Sequence, residues 1–237
     1  MLYKLRPSQR VLVDANIFFS QTLTDWLFFL HTYLPESFTI LCTEDILAEV
    51  RYHLRRRHPT ASSKTIKTKI SKIRMCIDDF VEFSGSSSGV PDIYDLHVHS
   101  AALDGHIDVL LTENVKDFPS PSKYNVSTAD DFFIKIVTDT QGYKEVLEII
   151  QMQREYMRRR HKSLDLSAYL ERANCPKFAS LIRDLQKRSS IFNTGQIDLH
   201  SLLPSRLNTS HNLLACRVNT GRHSSLLLQC IGKAHAI

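Results

Sequence analysis

PDIYDLHVHSAALDGHIDVLLTENVKDFP, residues Pro91 to Pro119, decides how the rest of the chain is read. Asp92 and Asp95 open a helix carried by Leu96, Ala101, Ala102 and Leu103, and Gly105 supplies a natural stop. The apolar run from Ile107 to Leu111 is short and free of Pro, so it reads as a buried strand. A polar loop follows, carrying Thr112, Glu113, Asn114 and Asp117. In an open α/β sheet the loop leaving a strand's carboxyl end is where ligands bind. Other carboxylates in the chain acquire a functional meaning if the fold brings them to that loop.

The 237 residues, 43% hydrophobic and 23% charged, suit a globular protein with one sizeable core and an appendage. No apolar run approaches the roughly 20 residues that span a bilayer. The opening MLYKLRPSQR leads into a strand without the apolar stretch of a signal segment, so a cytoplasmic protein with no membrane partner is expected. Cys42, Cys76, Cys175, Cys216 and Cys230 form no CxxC pair and have no His partners at zinc spacing, which points to buried free thiols. The formal charge of +5 is mild, but its distribution is not: nine Lys or Arg and no acidic residue lie between Arg51 and Arg74.

Ahead of the central stretch, Arg10 to Val13 is a short apolar strand that ends on Asp14, and a helix through Asp25, Trp26, Phe29 and Leu30 follows. Asp14 at such a junction serves equally as a helix N-cap. Phe38 to Cys42 reads as a second strand, with Thr43 capping a helix whose inward face is Ile46, Leu47, Val50 and Leu54. Glu49 flanks that face, although an i,i+4 pair with His53 would also account for it. From Ser62 to Val81, Ile66, Ile70, Ile73 and Ile77 keep helical spacing while lysines occupy the other faces. Because Arg51, Arg55, Arg56, Lys67, Lys69 and Lys72 share one sign, a polyanionic partner would relieve their repulsion.

After Pro121 a last short strand is expected over Tyr124 to Ser127, then a helix opened by Thr128 and Asp131. A longer helix from Tyr143 to about Arg160 precedes two shorter ones near Leu166 to Ala173 and Lys177 to Gln186. The residues divide into a body over 1–140, a helical extension over 141–188 and a weakly structured tail over 189–237.

Set in order, VLVDANIFFS, TEDILAEV, DIYDLHVHSAALDGHIDVLL and TENVKDFP resemble the PIN domain of the VapC-type toxin ribonucleases, particularly the subfamily ending T-x-N-x-x-D-F-P. The resemblance covers roughly Arg10 to Asp131. It implies a three-layer α/β/α domain around a mainly parallel sheet, with the C-terminal helices as an extension known from some of these toxins. It assigns Asp14, Glu49, Asp95 and Asp117 as catalytic carboxylates, with Asp14, Asp95 and Asp117 within reach of one metal ion. Asp92 matches the first acidic residue of a D-x-x-D pair, and Thr112 and Asn114 would hold the geometry. Where this chain has Asn114, many of the family have Asp, which lowers the negative charge of the site.

The residue types support that chemistry independently, since Mg²⁺ and Mn²⁺ select hard oxygen ligands. His97, His99 and His106 do not have the convergent spacing of a zinc site. The expectation is a metal-dependent ribonuclease, the toxin of a type II toxin–antitoxin pair, with RNA along the basic stretch and a small antitoxin as partner; a homodimer is left open. A DNA-acting nuclease of the same fold and a non-catalytic nucleic-acid or antitoxin-binding module are the alternatives. Removing one carboxylate from a crowded acidic cluster is expected to leave stability equal or slightly higher.

Overall fold

A computed structural model describes residues 8–85, 93–118, 123–161, 163 and 165–192. Asp92 and the tail from 193 onward lie outside these, as do Cys216 and Cys230. The short apolar runs form strands β1 (Gln9–Val13), β2 (Phe38–Cys42), β4 (Val109–Leu111) and β5 (Asn125–Ser127), with a two-residue β3 (Asp79–Phe80) at one edge. All neighbours pair in parallel, in the order β3-β2-β1-β4-β5. A parallel sheet must be covered on both faces, which is why its middle strands read as unbroken apolar runs. Val11, Leu12, Leu110 and Leu111 are fully buried. Helices flank the sheet in a three-layer α/β/α arrangement.

Local chemistry sets the helix starts. The Thr43 hydroxyl accepts from Ile46 N at 3.1 Å to cap α3 (Glu44–Arg57), and Ser62 does the same for α4 (Ser63–Met75) through Thr65 N. Thr128 caps α6 (Ala129–Thr140) through Asp131 N. Between β1 and β2 lie α1 (Ala15–Phe19) and α2 (Gln21–Tyr33); between β3 and β4 lies α5 (Leu96–Asp104). At Gly105, which ends α5, a Cβ would stand 2.8 Å from the Ala101 carbonyl, so the stop depends on a close approach that other residues would obstruct.

The helix expected over Ser62 to Val81 is shorter in the structure. It ends at Met75, and the chain turns into β3 beside Leu41 and Cys42. Ile77 is buried as its helical spacing suggested, but it reaches the core from the turn. Asp78 fixes that turn: its backbone N donates to Ile40 O and its carboxylate accepts from Ile40 N at 2.7 Å.

The C-terminal helices are α7 (Tyr143–Arg159), α8 (Leu166–Arg172) and α9 (Pro176–Phe192), the last running further than Gln186. Phe178 is fully buried, edge-on to Trp26 at 4.9 Å and tilted against Phe133 at 5.3 Å. Asp130, in the first turn of α6, accepts from Lys177 N and Phe178 N at the start of α9. The extension is therefore joined to the body by a packed aromatic cluster and a buried cap. Among the described residues, no helix is long and apolar enough to cross a membrane.

Candidate active site

Strand order determines where the site must be. The chain leaves β1 outward to β2 and β3, then returns to β4 on the other side of β1, so the direction of winding reverses between β1 and β4. Such a switch point opens a crevice at the carboxyl ends of the two strands. Val13 pairs with Leu111, and Asp14 N donates to Leu111 O at 3.0 Å. Asp14 and Thr112, the next residues along, thus leave the sheet side by side.

Asp14 is 5% exposed, and each of its oxygens has a partner. Oδ1 accepts from Ala15 N at 2.6 Å, while Oδ2 accepts from the Thr112 hydroxyl at 2.7 Å and from Asn16 Nδ2 at 2.7 Å. Asn16 also donates to Thr112 Oγ1 and accepts from Glu113 N; Thr112 Oγ1 accepts in turn from Asn114 N at 3.1 Å. Asp14 is both the N-cap of α1 and the centre of this network, so the capping and site readings hold together. Burial raises its carboxyl pKa above the usual range, against the opposing hydrogen bonds from Thr112 and Ala15; His97 lowers it and Asp117 raises it.

Glu49 and Asp95 line a pocket of about 550 Å³ together with Asp45, His97, Phe19 and Arg56. Burial raises the Glu49 pKa first, Asp14 and Asp95 raise it further, and His97 opposes them. Asp95 stands at the N-terminus of α5, and its i,i+3 partner Asp92 lies outside the described residues. Asp117 ends a 3-10 turn over Val115–Asp117 in the loop after β4, half-buried and within the electrostatic field of Asp14. The Asn114 side chain makes no cap bond, and its residue is exposed.

The fold that holds this crevice also matches a known one: the family model described as PIN domain matches residues 10–116. The matched segment, under half of the chain's 237 residues, is similar to a PIN domain, and the all-parallel sheet flanked by helices is consistent with that fold. The match ends inside the loop after β4, so β5, α6 and the C-terminal helices lie beyond it. No curated protein and no solved structure matches the chain. PIN domains are generally nucleases and generally use divalent ions, which agrees with a crevice of carboxylates at the switch point.

The donor chemistry of the crevice fits such an ion. Asp14, Glu49, Asp95 and Asp117 are hard oxygen donors; burial first, and neighbouring carboxylates after it, disfavour the charged forms of Asp14 and Glu49, and a cation would stabilise those forms. Among the described residues, no three Asp, Glu, His or Cys side chains are already gathered into a metal-holding cluster. Mg²⁺ is commonly bound through one or two carboxylates, waters and substrate phosphate, so a preassembled cage is not required.

The basic stretch divides into separate tasks. Arg55 donates to Ala61 O at 2.6 Å and to Pro59 O, bracing the α3–α4 turn. Arg56 lines the acidic pocket and lies over the Tyr52 ring. Arg51 and Lys67 are exposed, Lys72 is half-buried, and Lys69 is half-buried with its pKa lowered chiefly by burial.

Three features went unread in the sequence. Asn16 stands two residues after Asp14, where its amide can cross the switch point. His97 Nδ1 is 2.8 Å from Tyr94 O; since a carbonyl only accepts, that nitrogen carries the proton, leaving a buried Nε2 with no hydrogen-bond partner near the carboxylates. Glu113, in the same loop as Asp117, accepts from Ala129 N and Asn174 Nδ2, so it ties the loop to α6 and to the α8–α9 turn. Among the described cysteines, Cys42 and Cys175 are buried free thiols as expected, whereas Cys76 forms no disulfide but is only half-buried; burial pushes Cys42 up to about 12.

Proposed function

We propose that the protein is a divalent-metal-dependent endoribonuclease, the toxin of a toxin–antitoxin pair whose small antitoxin covers the acidic crevice. The observation that carries this reading is the meeting of Asp14 with the Thr112 to Asp117 loop at the switch point of a PIN-like fold, with Glu49 in electrostatic reach of both Asp14 and Asp95. RNA as the substrate, and the toxin role, are supported by the resemblance of TENVKDFP to the VapC-type ending.

Asp14, Asp95 and Asp117 would hold Mg²⁺ or Mn²⁺, with Glu49 beside them. Such an ion supplies a water of lowered pKa and neutralises charge on the phosphate and leaving oxygens. The chain's own contribution is orientation. Thr112 and Asn16 fix the Asp14 carboxylate before substrate arrives, which avoids reorganisation during the reaction. The exposed cations of α3 and α4 offset the repulsion between an acidic crevice and a polyanionic strand. Tyr52 and Tyr94, 63% and 81% exposed at the pocket rim, offer faces for unstacked bases or for the antitoxin's apolar residues.

The test is a Mn²⁺ titration of the purified chain with matched single-stranded RNA and DNA, scoring binding and cleavage together. Cleavage of RNA that requires the ion is expected. Preferred cleavage of DNA would make the chain a DNA-acting nuclease, and Mn²⁺ binding without any cleavage would make it a binding module.

A further inference from the structure

A second hollow, about 770 Å³, lies where the PIN body meets the C-terminal helices. Its walls come from α1, α2, the end of α3, Lys69 in the middle of α4, Glu113 of the loop after β4, and α7, α8 and the turn that follows α8. This volume is within the roughly 300–1,000 Å³ typical of small-ligand sites. Gln153 of α7 lines it, 9% exposed, with an amide Nε2 that is buried and donates to nothing among the described residues. A buried donor left unpaired is costly, and a ligand acceptor at this position would relieve the cost.

The other lining groups define what that ligand is. Arg57 and Lys69 face the hollow together with the carboxylates Asp25 and Glu113; Glu113 is held by Ala129 N and Asn174, and Asp25 only partly opposes the burial that lowers the Lys69 pKa, so a phosphate would offset the rest of that cost. On α8, Tyr169 and Arg172 also line it, the guanidinium 4.6 Å from the ring centroid, which gives a planar surface of the kind on which bases stack. The hollow adjoins the acidic site. Phe19 lines both, and Asn16 forms part of this wall while its amide bonds to Asp14.

We infer that this hollow is a nucleotide subsite: it holds one nucleotide of a single-stranded RNA beside the cleavage point, with phosphate on Arg57 and Lys69, base on Tyr169 and Arg172, and the Gln153 amide donating to an acceptor on the base edge. The inference rests on the nuclease reading for its substrate class. It gives the C-terminal helices a role in choosing which base is accepted next to the cut, because α7 and α8 lie outside the matched PIN segment.

The experiment is calorimetric or NMR titration of the full chain in EDTA with the four ribonucleoside 5′-monophosphates and with inorganic phosphate. At least one nucleotide should bind more than tenfold tighter than phosphate. Gln153→Met should weaken that nucleotide about tenfold while leaving thermal stability equal or higher, because the donor it removes is unpaired in the free protein. Arg172→Gln, at an exposed position, should weaken it as well and guards against a Gln153 variant that fails to fold. Equal binding of phosphate and nucleotides, or indifference to both substitutions, would overturn the inference. If no nucleotide binds, the hollow is filled by another part of the chain or by a protein partner, and the inference is overturned too. Because no divalent ion is present, the two readings separate: a chain that binds nucleotide but cuts no RNA with Mn²⁺ loses the nuclease reading, and one that cuts RNA but binds no nucleotide loses the subsite.

Discussion

The Thr112 hydroxyl donates to Asp14 Oδ2 at 2.7 Å, joining the residues that leave the two strands on either side of the switch point. Thr112 is fully buried, and its oxygen also accepts from Asn16 Nδ2 and Asn114 N. Thr112→Val keeps the shape but strands two donors and removes one support of a buried carboxylate. We expect a loss of about 1–3 kcal/mol in urea unfolding and a large fall in cleavage, with Thr112→Ser restoring most of both. A Val variant as stable and active as the parent would show that the network does not hold the site.

The acidic residues should differ in what their removal costs. Asp14 accepts at Oδ1 from the Ala15 backbone N–H and at Oδ2 from the Asn16 amide, whose own oxygen is held by Glu113 N, so Asp14→Asn places an N–H against one fixed donor. It should abolish cleavage and destabilise the fold by about 1–3 kcal/mol, contrary to the general expectation that thinning an acidic cluster is harmless. Glu49→Gln follows that expectation, because burial, Asp14 and Asp95 all disfavour the ionised Glu49 side chain. Chemical denaturation of the two variants beside the parent gives the comparison. Equal stabilities for both would contradict the distinction.

The same shift has a sign in pH. The Glu49 pKa is raised in the folded chain, so its contribution to stability is fully present below the unfolded value of about 4.3 and is lost as pH rises through the higher folded value. In the metal-free protein, the stability advantage of Glu49→Gln over the parent should therefore grow between acidic and neutral pH. Millimolar Mn²⁺ should shrink it, because binding to the folded parent stabilises that form by mass action. Melting curves at several pH values, with and without the ion, report both effects; an advantage that falls with rising pH would reverse the assignment.

Among the basic residues, Lys69 should matter more than its neighbour Lys67. Lys69 is half-buried in the hollow beside the site, whereas Lys67 is exposed. Lys69→Gln should weaken single-stranded RNA binding and reduce the log–log salt slope by about 0.7, the value for one phosphate contact on a single strand. Lys67→Gln should change the slope by much less. Equal effects would mean that the stretch acts only as a diffuse positive field.

What the sequence showed and what it hid have a common physical origin. Asp14 and Thr112 were legible because each ends an apolar run, and a buried parallel strand leaves that run in plain view. Strand β3 was hidden because two residues carry no periodicity, and Ile77 continued the spacing of α4 by coincidence of burial. The partners of Asp14 were half visible: Thr112 lies in the quoted loop, but the reach of Asn16 across the switch point depends on strand pairing that no local pattern encodes. Arg55 resembled its charged neighbours in sequence, yet its guanidinium braces a turn. The second hollow was illegible for a similar reason, since its walls come from residues as distant as Asn16 and Asn174.

The measurement that bears most directly on the central claim is cleavage of a labelled single-stranded RNA by the purified chain, with Mn²⁺ and with EDTA, for the parent and for Asp95→Asn. Circular dichroism and melting temperature show whether the Asp95→Asn protein is folded, and only a folded variant enters the comparison. The account predicts cleavage by the parent only with Mn²⁺ and a loss of at least a hundredfold in a folded Asp95→Asn protein. Cleavage in EDTA, or undiminished cleavage by the folded variant, would contradict it.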